Sequence, residues 1–265
     1  MTDAVVARLR AAGCVFAEDE ARLLGQAATG AALDGLVARR VRGEPLELVL
    51  GWAGFAGLRI AVEPGVFVPR RRTELLADLA VAARPAVLVD LCCGTGAVAA
   101  AVAAAVPGVE VHAADVDPVA VRCARRNLPG HHVYAGDLDA ALPADLRGRV
   151  DVLVANAPYV PTSAIATMPP EARDHEPATA LDGGADGLDI ARRVVAVAPR
   201  WLGPGGTLVV ETSLRQAPVL ATAFAAHGFA ARVRRDDERD GTAVTGILHP
   251  VASGPARRRA RRTRG

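Results

Sequence analysis

The chain has 265 residues, 51% of them hydrophobic but only 3% aromatic, so an ample core must be built from Ala, Val and Leu. All 31 basic residues are Arg, and six of them fall in positions 257–264; the formal +2 charge therefore hides a net negative body, which argues against a broad nucleic-acid-binding face. Cys14, Cys92, Cys93 and Cys123 follow no zinc spacing, no early apolar stretch reads as a signal peptide, and every apolar run is broken well short of a membrane span, so a reduced, cytoplasmic protein is expected.

Residues 1–42 read as a helical module of three short pieces. Thr2 or Asp3 can cap the first, Val5, Val6, Leu9 and Ala12 give it an apolar stripe, and Gly13 ends it. Residues 17–28 and 31–42 follow on either side of Thr29-Gly30, and the module is expected to be too small for a core of its own beyond a helix packing surface. Residues 43–84 read as a β-hairpin linker and a connecting helix. Arg42-Gly43-Glu44-Pro45 breaks the helix pattern, Leu48-Val49-Leu50 and residues 58–62 are predicted strands, Gly51 to Gly54 a bend, Val66-Phe67-Val68-Pro69 extended, and a helix starts at Thr73.

From residue 85 to 250 strands and helices alternate. Strands are predicted over 86–91, 109–114, 132–135, 150–155 and 206–211, and helices over 96–106, 118–127, 186–202 and 216–227. Repeated βα units imply a parallel sheet with helices on both faces. Two last strands, 230–235 and 242–249, read as a hairpin that makes one strand antiparallel. The tail, 251–265, is Arg-rich without apolar periodicity and is expected to be disordered.

Two stretches carry chemistry. Asn156-Ala157-Pro158-Tyr159 follows a buried strand, where open α/β sheets bind ligands. Asn offers a carbonyl acceptor and Tyr a flat face with a polar tip. Pro158 biases Ala157 toward an extended conformation, leaving its carbonyl as a second acceptor. Together they could hold an NH2 group by both hydrogens; the plain alternative is an Asx-type turn.

The second stretch, Val87 to Gly96, is a strand entering a Gly-rich turn and a helix. Gly94-Thr95-Gly96-Ala97-Val98-Ala99 satisfies a dinucleotide fingerprint, which on its own is a weak signal. Asp90, however, precedes the glycines where a carboxylate would repel a pyrophosphate. With Asp115 and Asp137 it places three acids at successive strand ends, which suits the ribose, ammonium and sulfonium of S-adenosylmethionine. Helix capping is the competing role for Asp90 and Asp115, with Asp117 a rival cap.

These segments, with Arg42-Gly43-Glu44-Pro45-Leu46, Phe67-Val68-Pro69-Arg70, Thr73-Glu74, Glu176-Pro177, Leu181, Gly184 and Asp186-Gly187-Leu188, resemble the HemK/PrmC-type protein-(glutamine-N5) methyltransferases. The resemblance covers nearly everything from Arg42 to His249. It implies a class I methyltransferase (Rossmann-like) α/β fold with a seven-stranded sheet, a small N-terminal helical domain and a β-hairpin linker. It implies that Asn156 and the Ala157 carbonyl hold a substrate amide, with Pro158 and Tyr159 completing the grip. Asp90, Cys92, Gly94, Thr95, Gly96, Asp115 and Val116 would bind S-adenosyl-L-methionine, leaving S-adenosyl-L-homocysteine as product. Asp137 and Leu138 would lie near the adenine, and Phe67 and Pro69 would line the pocket. The partner implied is a protein carrying a target Gln, a peptide release factor.

The chain departs from the family in having Ala157 where the family usually has Pro, and Arg71-Arg72 where it has Pro-Glu. The residues after Glu211 differ as well. Competing readings are a DNA or RNA amino-methyltransferase, which would need a basic cleft for a flipped base, and a non-catalytic ribosome- or RNA-binding protein whose tail would hold phosphate only weakly and without sequence preference. A dehydrogenase ranks behind both. Cys92 and Cys93 read as small packing residues, Trp52 and Trp201 as packing or hairpin anchors, and His131-His132 and His175 as surface or loop residues without a metal partner at the right spacing.

Overall fold

The structure, a computed structural model, describes residues 2–249; the Arg-rich tail lies outside the described residues. Three helices open the chain, α1 (Thr2–Ala11), α2 (Ala17–Ala27) and α3 (Gly30–Val41). They pack on one another around a small apolar cluster, with Leu9, Leu24 and Val37 fully buried and Val49 closing it from the next element. Apolar residues spaced three and four apart on each helix make this possible even at so small a size.

The predicted strand at Leu48-Val49-Leu50 is instead a short helix, α4 (Leu46–Leu50). Pro45 precedes it, Gly51 follows in a left-handed conformation at φ 77°, and Arg39 donates to the Leu48 and Val49 carbonyls at 3.1 and 3.4 Å. A three-residue apolar run carries no period, so its flanking Pro and Gly decided its form. The hairpin follows, β1 (Trp52–Phe55) paired antiparallel with β2 (Leu58–Ala61). Gly54 lies within β1 rather than in a bend; the turn is Ala56-Gly57, both at positive φ, as a two-residue hairpin loop demands. Trp52 lies under the Arg59 guanidinium, 4.2 Å from ring centroid to Cζ, as a hairpin anchor.

A 3-10 turn (Arg71–Thr73) leads into α5 (Glu74–Ala82). Then come β3 (Val87–Leu91), α6 (Ala97–Ala105), β4 (Glu110–Asp115), α7 (Pro118–Asn127), β5 (His132–Ala135) and β6 (Val150–Ala155). Two short helices, α8 (Pro170–His175) and α9 (Ala178–Leu181), were not foreseen. The predicted helix 186–202 is shorter, α10 (Asp189–Val197) plus a 3-10 turn, because β7 (Leu202–Glu211) already starts at Leu202. The early start follows a register shift between Val150 and Val152 of its neighbour. Helix α11 (Ala217–Ala226), β8 (Phe229–Asp236) and β9 (Gly241–Leu248) close the fold.

The seven-stranded sheet has the order β5-β4-β3-β6-β7-β9-β8, parallel except that β9 runs antiparallel to both neighbours. Strands β3 and β6 are buried on both faces except at Asp151, which is why they read as mostly apolar runs. The chain winds outward from β3 in one direction and from β6 in the other. The order therefore reverses between β3 and β6, and a crevice opens beyond their carboxyl ends.

Candidate active site

That crevice has a volume of about 420 Å³. Every predicted site residue but one lines it: Phe67 and Pro69; Asp90, Cys92, Gly94 and Thr95; Asp115 and Val116; Asp137 and Leu138; and Asn156 to Tyr159. The exception is Gly96. At φ 74° it enters α6, and a Cβ there would stand 2.9 Å from Leu128 Cδ1 and 3.3 Å from Ala124, so it serves the close packing of α6 on α7.

The two inner acids are held by backbone donors. Asp90, 2% exposed, accepts from Ala99 N at 3.2 Å, so it caps the first turn of α6 and faces the crevice at once. Burial pushes its carboxyl up to about 7, opposed by the Ala99 N–H and reinforced by Asp115. Asp115 accepts from Gly94 N at 2.8 Å and from Asp117 N at 2.9 Å, and burial raises its pKa too. Asp117 takes the cap of α7, accepting from Val119 N. Asp137, nearer the rim, pairs with Arg193 at 2.7 Å.

Two crevice residues that are not glycine hold left-handed backbone, Cys92 at φ 56° and Leu138 at φ 50°. Non-glycine residues in that region concentrate at ligand sites because strain persists only where the surroundings impose it. Burial raises the thiol pKa of both Cys92 and Cys93, which leaves them neutral packing groups.

The opposite wall is the extended 66–70 segment. Buried Glu176 ties it down, accepting from Val68 N at 3.3 Å and pairing with Arg70, whose guanidinium lies 5.2 Å from the Phe67 ring centroid. Met168, Pro169, Glu171 and Ala172 also line the crevice, so the segment from the 3-10 turn Thr162–Thr167 through α9 roofs it. Arg40 of α3, itself paired with buried Glu20, reaches Glu171 of this roof at 2.6 Å.

At the end of β6, Asn156 donates Nδ2 to the Thr73 hydroxyl at 3.5 Å, leaving its carbonyl oxygen on the other arm of the amide. Ala157 is buried and lines the crevice. The Tyr159 hydroxyl donates to Glu211 Oε1 at 3.1 Å, and Arg72 Nε reaches the same oxygen at 3.3 Å with its guanidinium 5.8 Å from the Tyr159 ring centroid. Arg72, one of the residues that departs from the family pattern, thus contacts both Glu211 and the Tyr159 ring.

Support for the tetrapeptide comes from residues that sequence reasoning did not single out for it. Gln216 Nε2 donates to the Tyr159 carbonyl at 2.9 Å and to that of Asp186 at 2.8 Å. Gly183 N donates to the Val160 carbonyl at 2.9 Å, and Val160 N to that of Leu181 at 3.0 Å. A Cβ on Gly183 would lie 2.6 Å from the Pro158 carbonyl oxygen, and one on Gly187 2.3 Å from that of Tyr159. The signal was the cluster Gly183-Gly184 and Gly187 in a chain otherwise rich in Ala.

Sheet order, switch-point crevice and carboxylates at the strand ends define a class I methyltransferase fold. A methyltransferase from Pyrococcus furiosus has the same fold at a TM-score of 0.55 and 16% identity, covering 73% of this chain and 90% of that one. A methyltransferase small domain matches residues 57–169. Release factor glutamine methyltransferase of Mycolicibacterium smegmatis is 40% identical over 232 residues, 79% of this chain and 82% of that protein. The Geobacter sulfurreducens enzyme of the same name is 40% identical over 202 residues, 75% and 71% of the two chains. The chain belongs to this family, the release factor glutamine methyltransferases. A Streptomyces pristinaespiralis relative, 37% identical over 203 residues (72% of this chain, 69% of that one), is a 4-amino-L-phenylalanine/4-methylamino-L-phenylalanine methyltransferase. Among the described residues no helix is long and apolar enough to cross a membrane.

Proposed function

We propose that the protein methylates the side-chain amide nitrogen of a glutamine in a protein substrate, a peptide chain release factor, using S-adenosyl-L-methionine. The observation that carries this is the placement of Asn156 and Ala157 at the end of β6 in one crevice with Asp90 and Asp115. A planar NH2 can meet two carbonyl acceptors there, and a cationic nucleoside cofactor can meet two carboxylates.

The crevice fits that cofactor chemically. Asp115, held by two backbone N–H groups, would accept from the ribose hydroxyls, and Asp90 would offer a buried acceptor for the ammonium group. When bound, S-adenosylmethionine supplies an electrophilic methyl group on a sulfonium and leaves as S-adenosyl-L-homocysteine. The protein's share is geometric. The Asn156 carbonyl and the Ala157 carbonyl accept the two amide N–H groups, which aims the nitrogen lone pair and favours positive charge growing on that nitrogen. Tyr159, oriented by Glu211 and Arg72, packs on the amide. Phe67 and Pro69 exclude water on the far side. Such positioning contributes about 7–11 kcal/mol in well-oriented systems, so no general base is required. The proton leaves to solvent after the new C–N bond forms.

Incubation with S-adenosylmethionine and a purified release factor, followed by peptide mass analysis, tests this reading. The expected result is one methyl group on a single Gln. Methylation of free 4-amino-L-phenylalanine with no transfer to release factor would assign the crevice to small aromatic amines instead, the activity named for the Streptomyces relative. Methylated DNA as the only product would refute both.

A further inference from the structure

Glu110, His112 and His132 meet at the other end of the sheet from the crevice. Glu110 and His112 are two apart at the amino end of β4 and so share a face. His132 on β5 is the in-register partner of His112. Its spacing in the sequence offers no ligand partner, because the partners come from the neighbouring strand. One ligand atom from each residue lies within 4.8 Å of the other two.

Buried His112 is already oriented. Its Nε2 is 2.9 Å from Glu110 Oε1, and its Nδ1 is 2.9 Å from the Tyr134 hydroxyl oxygen. An imidazole with one nitrogen fixed by an oxygen and the other facing a carboxylate has the arrangement of a metal-binding histidine. Arg149 takes only the second Glu110 oxygen, at 3.4 Å. The His112 and His132 rings stack with centroids 4.7 Å apart and planes 14° from parallel. An ion must lie in the plane of each ring that binds it, so His132 has to turn about its side-chain torsions. His132 is exposed and free to do so. A hollow bounded by Gly108, Glu110, Gly130 and His132 gives water access to complete the shell.

We propose that Glu110, His112 and His132 form a binding site for a divalent transition-metal ion of the zinc type. Two imidazoles and one carboxylate match that ion's ligand preference. The ion replaces the proton shared between His112 Nε2 and Glu110 Oε1, which passes to solvent, and clasps edge strand β5 to β4. Because the cluster lies at the amino end of β4 while Asp115 enters the crevice at its carboxyl end, binding stabilises the fold without entering the reaction.

The test is calorimetric titration of the metal-free full chain with ZnCl2, with thermal unfolding in parallel. The parent is expected to bind one equivalent and to unfold at higher temperature when loaded. His132→Ala and Glu110→Gln should each weaken binding at least about tenfold, and Tyr134→Phe should weaken it to a smaller degree, within the range seen for partners that orient ligands. His131→Ala, beside the cluster, should bind as the parent does, and His132→Ala should keep parental methyl transfer. Absence of a stoichiometric equivalent in the parent, or unchanged affinity in His132→Ala, would overturn the proposal.

Discussion

Tyr159 and Glu211 share one hydrogen bond, 3.1 Å long, between the last residue of the Asn156–Tyr159 tetrapeptide and the carboxyl end of β7. Glu211 is 2% exposed, and burial raises the pKa of both groups. A carboxylate buried this deeply costs stability unless its partners are in place, and Arg72 supplies the countercharge from the other side at 3.3 Å. Three groups from distant parts of the chain therefore fix the plane of the tyrosine ring. Glu211→Gln keeps an acceptor for the hydroxyl and loses the charge that holds Arg72. It is expected to lower kcat more than it raises KM. Glu211→Ala, which removes the acceptor, paired with Tyr159→Phe should show a coupling of about 0.5–3 kcal/mol. Additive effects in the double-mutant cycle would show that the bond does not orient the ring.

Asn156→Ala removes the acceptor at the end of β6. Methyl transfer is expected to fall by about 10²–10³-fold, the loss typical of one preorganised hydrogen-bonding group. Cofactor affinity, which the proposed mechanism assigns to Asp90 and Asp115 on other strands, should stay near parental. Calorimetry with the cofactor beside single-turnover rates separates the two; an unchanged rate would count against the amide grip.

The raised pKa of Asp90, about 7, makes two linked predictions of opposite sign. A carboxyl whose folded pKa exceeds its unfolded value stabilises the fold below the unfolded pKa, and that stability is lost as pH rises through the folded pKa. The cofactor-free protein should therefore lose stability as pH rises from 3.8 through about 7. Binding of a cationic cofactor needs the ionised form, so affinity should rise over the same window, by up to about tenfold per pH unit below the pKa. Asp90→Asn should flatten both curves. Titrations at pH 6 and pH 8 that give equal parental affinities would remove Asp90 from the cofactor's charge recognition.

Cys92 at φ 56° carries a conformational cost that glycine does not. Cys92→Gly is expected to fold as stably as the parent, the relief of about 1–2 kcal/mol offsetting the lost packing. Cys92→Val should destabilise by about 1–3 kcal/mol, because a branched Cβ is least tolerated in left-handed backbone. Thermal melts of the two variants make the comparison; equal Tm values would mean the backbone relaxes out of that region on substitution.

The central strands were legible because a strand covered on both faces needs a mostly apolar run, and Val87–Leu91 and Val150–Ala155 supply one, each interrupted by a single Asp. The acids and Asn156 were legible because each terminates such a run on the same edge. Leu48-Val49-Leu50 misled because so short an apolar run suits strand and helix alike. The buttress of the tetrapeptide was not legible for a different reason. Gln216 and Gly183 act on backbone carbonyls, which every residue has, so no partner's identity betrays them. The site at Arg72 depends on Glu211, 139 residues away, and only the folded sheet brings them together.

The Arg40 side chain, 12% exposed, spans from Glu20 among the first helices to Glu171 above the crevice. A protein trimmed to start after residue 42 would keep the catalytic floor whole yet lose the rivet that fastens its ceiling. The opening helices thereby reach the roof of the crevice through one arginine, although none of the acceptors proposed to grip the amide belongs to them.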